Sequence, residues 1–330
     1  MSRIAVLGAG SWGTALGVHL ARNGHQVRLW ARDGELVLRM RDEHCNPEYL
    51  PGVPFPPGLT PVAQLAGALD AAAYVVTAVP SHGLRAVVRH AAPLMPPTAV
   101  LVSTTKGLEG DTLLRMSQVI AEETKVRGIA VLSGPSFASE VARRLPTAVS
   151  VASADAEIGA AVQDDFRGPS LRLYVTDDVT GVEVGGAIKN VIAIAAGVVD
   201  GLGLGHNAMA ALITRGLVEI ARLACALGAR RDTLAGLSGL GDLVLTCTGE
   251  LSRNRRVGVE LGRGRRLEDI LSGMRMVAEG VRTTRAALAL GARHGVELPI
   301  AAQMANVLEG RTSPLAAVEQ LMLRPPKAEH

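Results

Sequence analysis

The sequence predicts an α/β protein, with a parallel, doubly wound sheet at the N-terminus and an all-α domain at the C-terminus. Three observations carry that prediction. Gly8, Gly10 and Gly13 form a Gly-x-Gly-x-x-Gly turn that leaves an apolar strand and opens a helix. Strand-like runs then alternate with helical stretches as far as residue 176, the pattern of βα units in a parallel sheet. Beyond 176 only helical periodicity continues, punctuated by Gly and Pro. A chain of 330 residues exceeds what one core commonly holds. The change of pattern divides it into a Rossmann-like domain, 1–178, and an α-helical domain, 179–330.

The first thirty residues read as one βαβ unit. Residues 4–7 are a compact apolar strand, 8–13 the turn, 14–23 a helix and 26–30 a second strand. Gly24 stands where a left-handed glycine ends a helix. Further strands are expected at 74–79, 98–103, 129–132, 147–152 and 171–175, with an antiparallel extension at the end of the sheet. Six prolines lie between Pro47 and Pro61. Proline lacks a backbone donor and breaks helices, so this stretch is expected to leave the sheet. Helices are expected at 179–199, 207–227, 231–237, 254–261, 267–271, 280–294, 300–308 and 314–323.

Composition excludes several classes. Hydrophobic residues make up 48% and charged residues 20%, which rules out a disordered chain. The 34 basic and 31 acidic residues leave a net charge of +3, scattered along the chain. That is too little for a surface that wraps a polyanion, so nucleic acid is not the expected partner. Cys45, Cys225 and Cys247 make an odd count without C-x-x-C spacing, which fits a reducing cytoplasm without disulfides or a zinc site. The eight histidines have no ligand spacing, and no metal is expected. The N-terminus does not read as a signal peptide. The apolar run 191–199 ends at Asp200, short of the roughly 18 to 20 residues that cross a membrane. Lysine occurs only at Lys106, Lys125, Lys189 and Lys327. Burial readily shifts an ammonium, so each is either tuned chemistry or surface decoration.

The glycine turn has a physical reading. Gly8 permits the tight turn, Gly10 lets a pyrophosphate approach N–H groups at the helix N-terminus, and Gly13 allows close helix packing. At the end of the second strand, Asp33 either bonds the ribose hydroxyls or caps the helix that follows, and Arg32 either meets a 2′-phosphate or stacks on adenine. NADPH and NADH therefore both remain open as cofactor. Segments 104–107, with Lys106, and 133–137 follow two strands at the ligand-binding edge of such a sheet. Lys106 either places a charge at a phosphate or carbonyl, or is a solvated loop lysine.

In the second domain, Lys189 sits in an almost wholly apolar helical segment beside Gly185, Gly186 and Ala187. A buried ammonium is costly without a partner, and burial moves it toward acid/base use. Reduction of a ketone by hydride needs such a proton donor. The alternative is a lysine paired structurally with a carboxylate. Asp242, in an apolar and Gly-rich turn, is the expected partner. Ser252, Arg253 and Asn254 combine a hydroxyl, a planar guanidinium and an amide ahead of a helix, a set suited to a phosphate dianion. Equally, Ser252 is an N-cap and Arg253 and Arg255 a solvated face.

The segments GAGSWGTALG at 8–17, NPEYLPG at 46–52, STTKG at 103–107 and LSGPSFASE at 132–140 are four blocks of one resemblance. GGAIKNVIAIAAG at 185–197, SGLGDLVLTCTGELSRNRRVG at 238–258 and AEG at 278–280 complete it. Together they resemble the bacterial type of NAD(P)-dependent sn-glycerol-3-phosphate dehydrogenase, in the family's order and spacing. The resemblance implies reversible reduction of dihydroxyacetone phosphate to sn-glycerol 3-phosphate for phospholipid synthesis, a nicotinamide-binding N-terminal domain, a helical C-terminal domain and a homodimer. It implies Lys189 as proton donor and acceptor, with Asp242 and Lys106 as polar companions. Substrate contacts fall on Gly134 and Ser136, and a phosphate grip on Ser252, Arg253 and Asn254. Cofactor contacts fall on Ser11, Trp12, Arg32, Asp33, Lys106, Ala138, Arg253, Val277 and Glu279, beside the three glycines. The expected rivals are a β-hydroxy-acid or ketopantoate-like reductase, which needs no phosphate grip, and a sensing module, which needs no proton donor.

Overall fold

Apolar residues of the N-terminal strands divide between two cores. Ile4 and Val6 enter one and Ala5 and Leu7 the other, because successive side chains of a strand point to opposite faces. A sheet covered on both faces is the result. The computed structural model describes residues 1–274, 278–326 and 328. Its sheet consists of β1 (Arg3–Leu7), β2 (Gln26–Trp30), β3 (Leu59–Val62), β4 (Tyr74–Thr77), β5 (Val100–Ser103), β6 (Gly128–Ser133), β7 (Thr147–Ala152) and β8 (Leu171–Thr176). The spatial order is β8-β7-β6-β5-β4-β1-β2-β3.

Strands β1 to β6 are mutually parallel, with Ile4 opposite Val27 on one side and Tyr74 on the other. Strand order therefore reverses at β1, where doubly wound sheets bind their ligands. The join between β6 and β7 is antiparallel, and β8 pairs parallel with β7. The expected antiparallel extension is thus a pair of strands.

The proline-rich stretch departs from its expectation. Its first part does leave the sheet, as an antiparallel ladder of Cys45–Asn46 and Leu50–Pro54. Its end returns as β3, with Pro61 inside the strand opposite Leu29. β3 is an edge strand, so its missing donor interrupts no ladder on the open side.

The chain divides into two compact units, 1–109 with 114–183, and 110–113 with 184–330. In the second unit the helices follow the expected periodicity to within a few residues at their ends. One segment differs. The helix expected at 231–237 ends at Ala235, a π-helical turn follows at Leu237–Gly241, and a further helix runs Asp242–Thr248. The sequence hid that helix because the glycines of the turn before it resemble a loop. Helix Val179–Gly201 matches the expected 179–199 to within two residues and extends well beyond the apolar run 191–199, with Lys189 and Asn190 inside it. By length and composition it passes for a membrane span, yet its most apolar window is entirely buried in protein, as in a core helix.

Candidate active site

Each glycine of the first turn is required for a different reason. Gly8 has φ +117, and a Cβ there would stand 2.7 Å from the Ala78 carbonyl oxygen. A Cβ on Gly13 would overlap the Gly8 carbonyl, so helix Ser11–Arg22 packs directly on the turn. Gly10 is the helix N-cap, and a Cβ there would meet nothing within 4 Å. Open space thus lies beside first-turn N–H groups that have no acceptor within the helix. No acidic residue occupies that turn, which leaves the positive end of the helix dipole for an anion.

A residue that sequence reasoning did not single out braces this cradle. Asn46, fully buried, donates through Nδ2 to the Ala9 carbonyl at 2.8 Å and to Thr14 Oγ1 at 2.9 Å. Its Oδ1 accepts from Glu48 N and Tyr49 N at 3.3 and 3.0 Å. Ser11 Oγ donates to the Tyr49 carbonyl at 2.7 Å. The signal was an Asn opening a turn ahead of proline, where its side chain bonds the backbone two and three residues on. The excursion from the sheet is therefore a strut beneath the glycine turn. Trp12 packs half-buried against the core of this unit.

At the end of β2, Asp33 Oδ1 accepts from Glu35 N at 2.9 Å and Leu36 N at 3.3 Å, capping helix Gly34–Asp42. Of the two alternatives for Asp33, the cap is present. A carboxylate retains further lone pairs for a second donor. Arg32 beside it is exposed.

The carboxyl ends of β4, β5 and β6 are stitched together by side chains. Thr104 Oγ1 donates to the Thr77 carbonyl at 2.7 Å and Thr105 Oγ1 to the Val79 carbonyl at 2.9 Å. Lys106 Nζ donates to the Gly134 carbonyl at 3.1 Å, so its position is defined rather than that of a loose loop lysine. Gly134, at φ +143, cannot carry a Cβ without meeting Val149 Cα at 2.9 Å. Ser136 Oγ bonds the same Gly134 carbonyl at 2.9 Å. Ala138 opens the short helix Ala138–Ala142.

In the second unit Lys189 is 6% exposed and Asp242 1%. Lys189 Nζ forms an ion pair with Asp242 Oδ1 and donates to Thr246 Oγ1 at 2.8 Å. Thr246 in turn donates to the Asp242 backbone carbonyl at 2.6 Å. Its hydrogen is therefore committed to the backbone, and its lone pair faces the ammonium. Two glycines bring this group together. A Cβ on Gly185 would stand 2.6 Å from the Ser238 carbonyl, and one on Gly239 would overlap the Leu234 carbonyl. Thr246 escaped sequence reasoning because Asp242 was placed in a turn. On the observed helix the two are four residues apart and share a face. Cys247, beside them, is fully buried, and burial pushes its thiol up to about 12. That removes it as a nucleophile near neutral pH.

A second polar chain runs beside the first. Asn254 Nδ2 donates to Asn190 Oδ1 at 3.0 Å, and its Oδ1 accepts from Gly280 N at 2.9 Å. Three helices are joined through one carboxamide. Ser252 Oγ accepts from Arg255 N at 3.2 Å, so it is an N-cap. Arg255 pairs with Asp200 at 2.8 Å and is not on a solvated face. Arg253 keeps solvent access, but the protein around its guanidinium partly desolvates it and lowers its pKa, with Glu279 acting the other way. Glu279 is the first residue of helix Glu279–Arg293, and Val277 lies outside the described residues.

Residues 3–159 match the N-terminus, and residues 178–319 the C-terminus, of the NAD-dependent glycerol-3-phosphate dehydrogenases. The chain belongs to that family. It is 55% identical to glycerol-3-phosphate dehydrogenase (NAD(P)+) of Acidobacterium capsulatum, over the whole of both chains. The enzyme of the same name from Thioalkalivibrio sulfidiphilus is 53% identical, over 99% of this chain and 98% of the relative. The crystal structure of glycerol-3-phosphate dehydrogenase from Coxiella burnetii covers 98% of the chain and 99% of its own, at 42% identity and TM-score 0.94. A ketopantoate reductase from Ralstonia eutropha, at 15% identity and TM-score 0.61, shares the fold alone. The family's two matched regions contain the glycine cradle in one and the Lys189, Asp242 and 252–254 cluster in the other.

Proposed function

We propose that this oxidoreductase reversibly reduces dihydroxyacetone phosphate to sn-glycerol 3-phosphate with NADPH or NADH, supplying the backbone of glycerophospholipids. The buried Lys189, Asp242 and Thr246 group carries this reading, because a desolvated ammonium held by a carboxylate and a hydroxyl is a positioned proton donor. Domain 1–178 binds the dinucleotide and domain 179–330 the substrate. The open side of Gly10 and the unopposed helix N-terminus fit a pyrophosphate. Ser11, Trp12, Gly8 and Gly13 frame it, Arg32 and Asp33 meet the adenosine ribose, and Lys106, Ala138, Arg253, Val277 and Glu279 complete the cofactor set.

A bound nicotinamide supplies the hydride to C2 of the ketone. Lys189 Nζ gives its proton to the C2 oxygen during reduction and takes it back during oxidation. Asp242 stabilises the ammonium form and fixes its direction, and Thr246 removes the remaining freedom of the amine. Lys106, held on the Gly134 carbonyl, and Ser136 border the ketone. Ser252, Arg253 and Asn254 hold the phosphate, and that remote contact positions C2 for reaction. We place the enzyme in the cytoplasm as a homodimer; its three unpaired cysteines suit a reducing compartment.

The test is oxidation of NADPH and NADH, followed by absorbance, on addition of dihydroxyacetone phosphate or of unphosphorylated dihydroxyacetone. Rapid turnover of the phosphorylated ketone alone is expected. Equal rates on both ketones would remove the phosphate grip, and folded protein that binds NADPH without turnover would remove the reaction.

A further inference from the structure

The lysine and the proposed phosphate grip stand on neighbouring helices, Val179–Gly201 and Arg253–Gly262. Their contacts advance together along both chains. Asn190 bonds Asn254, Gly258 meets Ile194 and Gly197, and Gly262 meets Val198 and Gly201. The two helices therefore run in the same direction, with Lys189 and residues 252–254 at the same end. Each contributes a Gly-x-x-x-Gly pair to the contact, Gly197 and Gly201 from one, Gly258 and Gly262 from the other. A Cβ on Gly197 would overlap the Arg255 carbonyl, and one on Gly258 the Ile194 carbonyl. A Cβ on Gly262 would stand 2.9 Å from the Val198 carbonyl. Backbone against backbone leaves no side chain to repack, so any added carbon parts the helices.

Lys189 is held from elsewhere. Its ion pair and hydrogen bond go to Asp242 and Thr246, one turn apart on helix Asp242–Thr248. Parting the glycine crossing thus moves residues 252–254 relative to Lys189 without removing either of those bonds. We propose that the reciprocal glycine crossing is the spacer that sets the reach between the proton donor and the phosphate grip. Gly197 and Gly258 are then positioning residues for the phosphorylated ketone. The proposal rests on the function above, and the Asn190 to Asn254 bond marks the end of the crossing where the reach is read.

The test compares Gly197→Ala and Gly258→Ala with wild type on dihydroxyacetone phosphate and on unphosphorylated dihydroxyacetone, with saturating NADPH. Displacement on the ångström scale by a remote contact costs on the order of 100-fold. A loss of about that size in kcat/KM is expected for the phosphorylated ketone, mainly through KM, with less than about a threefold change for the unphosphorylated one. Simple instability would lower both in proportion to the folded fraction. If Gly258→Ala does not fold, Gly262→Ala gives the same split with smaller amplitude, since its clash is milder. Equal losses on the two ketones, or an unchanged ratio in folded variants, overturn the spacer. A wild-type enzyme with no preference for the phosphorylated ketone overturns the function itself, and the spacer with it.

Discussion

Thr246 Oγ1 has one hydrogen and spends it on the Asp242 carbonyl, so what it offers Lys189 is a fixed lone pair. Together with the Asp242 carboxylate this turns a flexible four-carbon side chain into a directed ammonium. Positioned proton transfer contributes about 100-fold to 10,000-fold in rate. Lys189→Met is expected to lose at least about that range in kcat while NADPH binding, followed by fluorescence titration, stays within a few fold. Near-normal turnover would remove Lys189 from the chemistry. Thr246→Ala deletes one hydrogen bond to a charged group, a loss of about 1.5 to 3 kcal/mol when it acts in the transition state. We expect roughly a tenfold or greater drop in kcat, with Thr246→Ser restoring most of it. A serine variant as slow as the alanine variant would show that the methyl group, not the hydroxyl, matters.

At the level of elements, the glycine turn separates folding from binding. Gly13 presses its helix on the turn, whereas Gly10 faces open space. Gly10→Ala therefore adds a methyl group that touches no protein atom but stands where the pyrophosphate comes close. The expected result is an unfolding free energy within about 0.5 kcal/mol of wild type, with KM for NADPH raised at least tenfold, about 1.4 kcal/mol. Unchanged cofactor kinetics would place the pyrophosphate elsewhere. The sequence exposed this element fully, since its strand, turn and helix are contiguous. It concealed helix Asp242–Thr248, whose start is a π-helical turn made of residues that favour loops. It also mistook the end of the proline-rich stretch, because an edge strand tolerates what a central strand does not.

For the molecule as a whole, one buried carboxylate outside the site adds its own pH dependence to stability. Glu219 is 5% exposed and caps helix Pro299–Leu308 from a distance, accepting from Ile300 N at 2.7 Å and Ala301 N at 3.4 Å. Burial nonetheless outweighs those bonds and raises its pKa to about 7. The native state then holds a proton that the unfolded chain releases near pH 4.5, so this contribution is full below that value and disappears as pH rises through 7. The difference amounts to about 3 kcal/mol. Glu219→Gln should therefore flatten the fall in stability between pH 5 and 8, as measured by urea midpoints; an identical pH slope in the variant would exclude Glu219 as its source. What could be read along the chain was local and periodic: the alternation of strands and helices, the Gly8 to Gly13 turn, and a lone lysine in an apolar helix. Each follows from backbone geometry and side-chain polarity within a few residues. Folding decided the rest, because it depends on residues far apart in sequence. It added Thr246 to the Lys189 and Asp242 pair that the sequence already suggested, set Asn46 beneath the glycine turn, and pressed Gly197 against Gly258, where no nearest-neighbour pattern announces a contact.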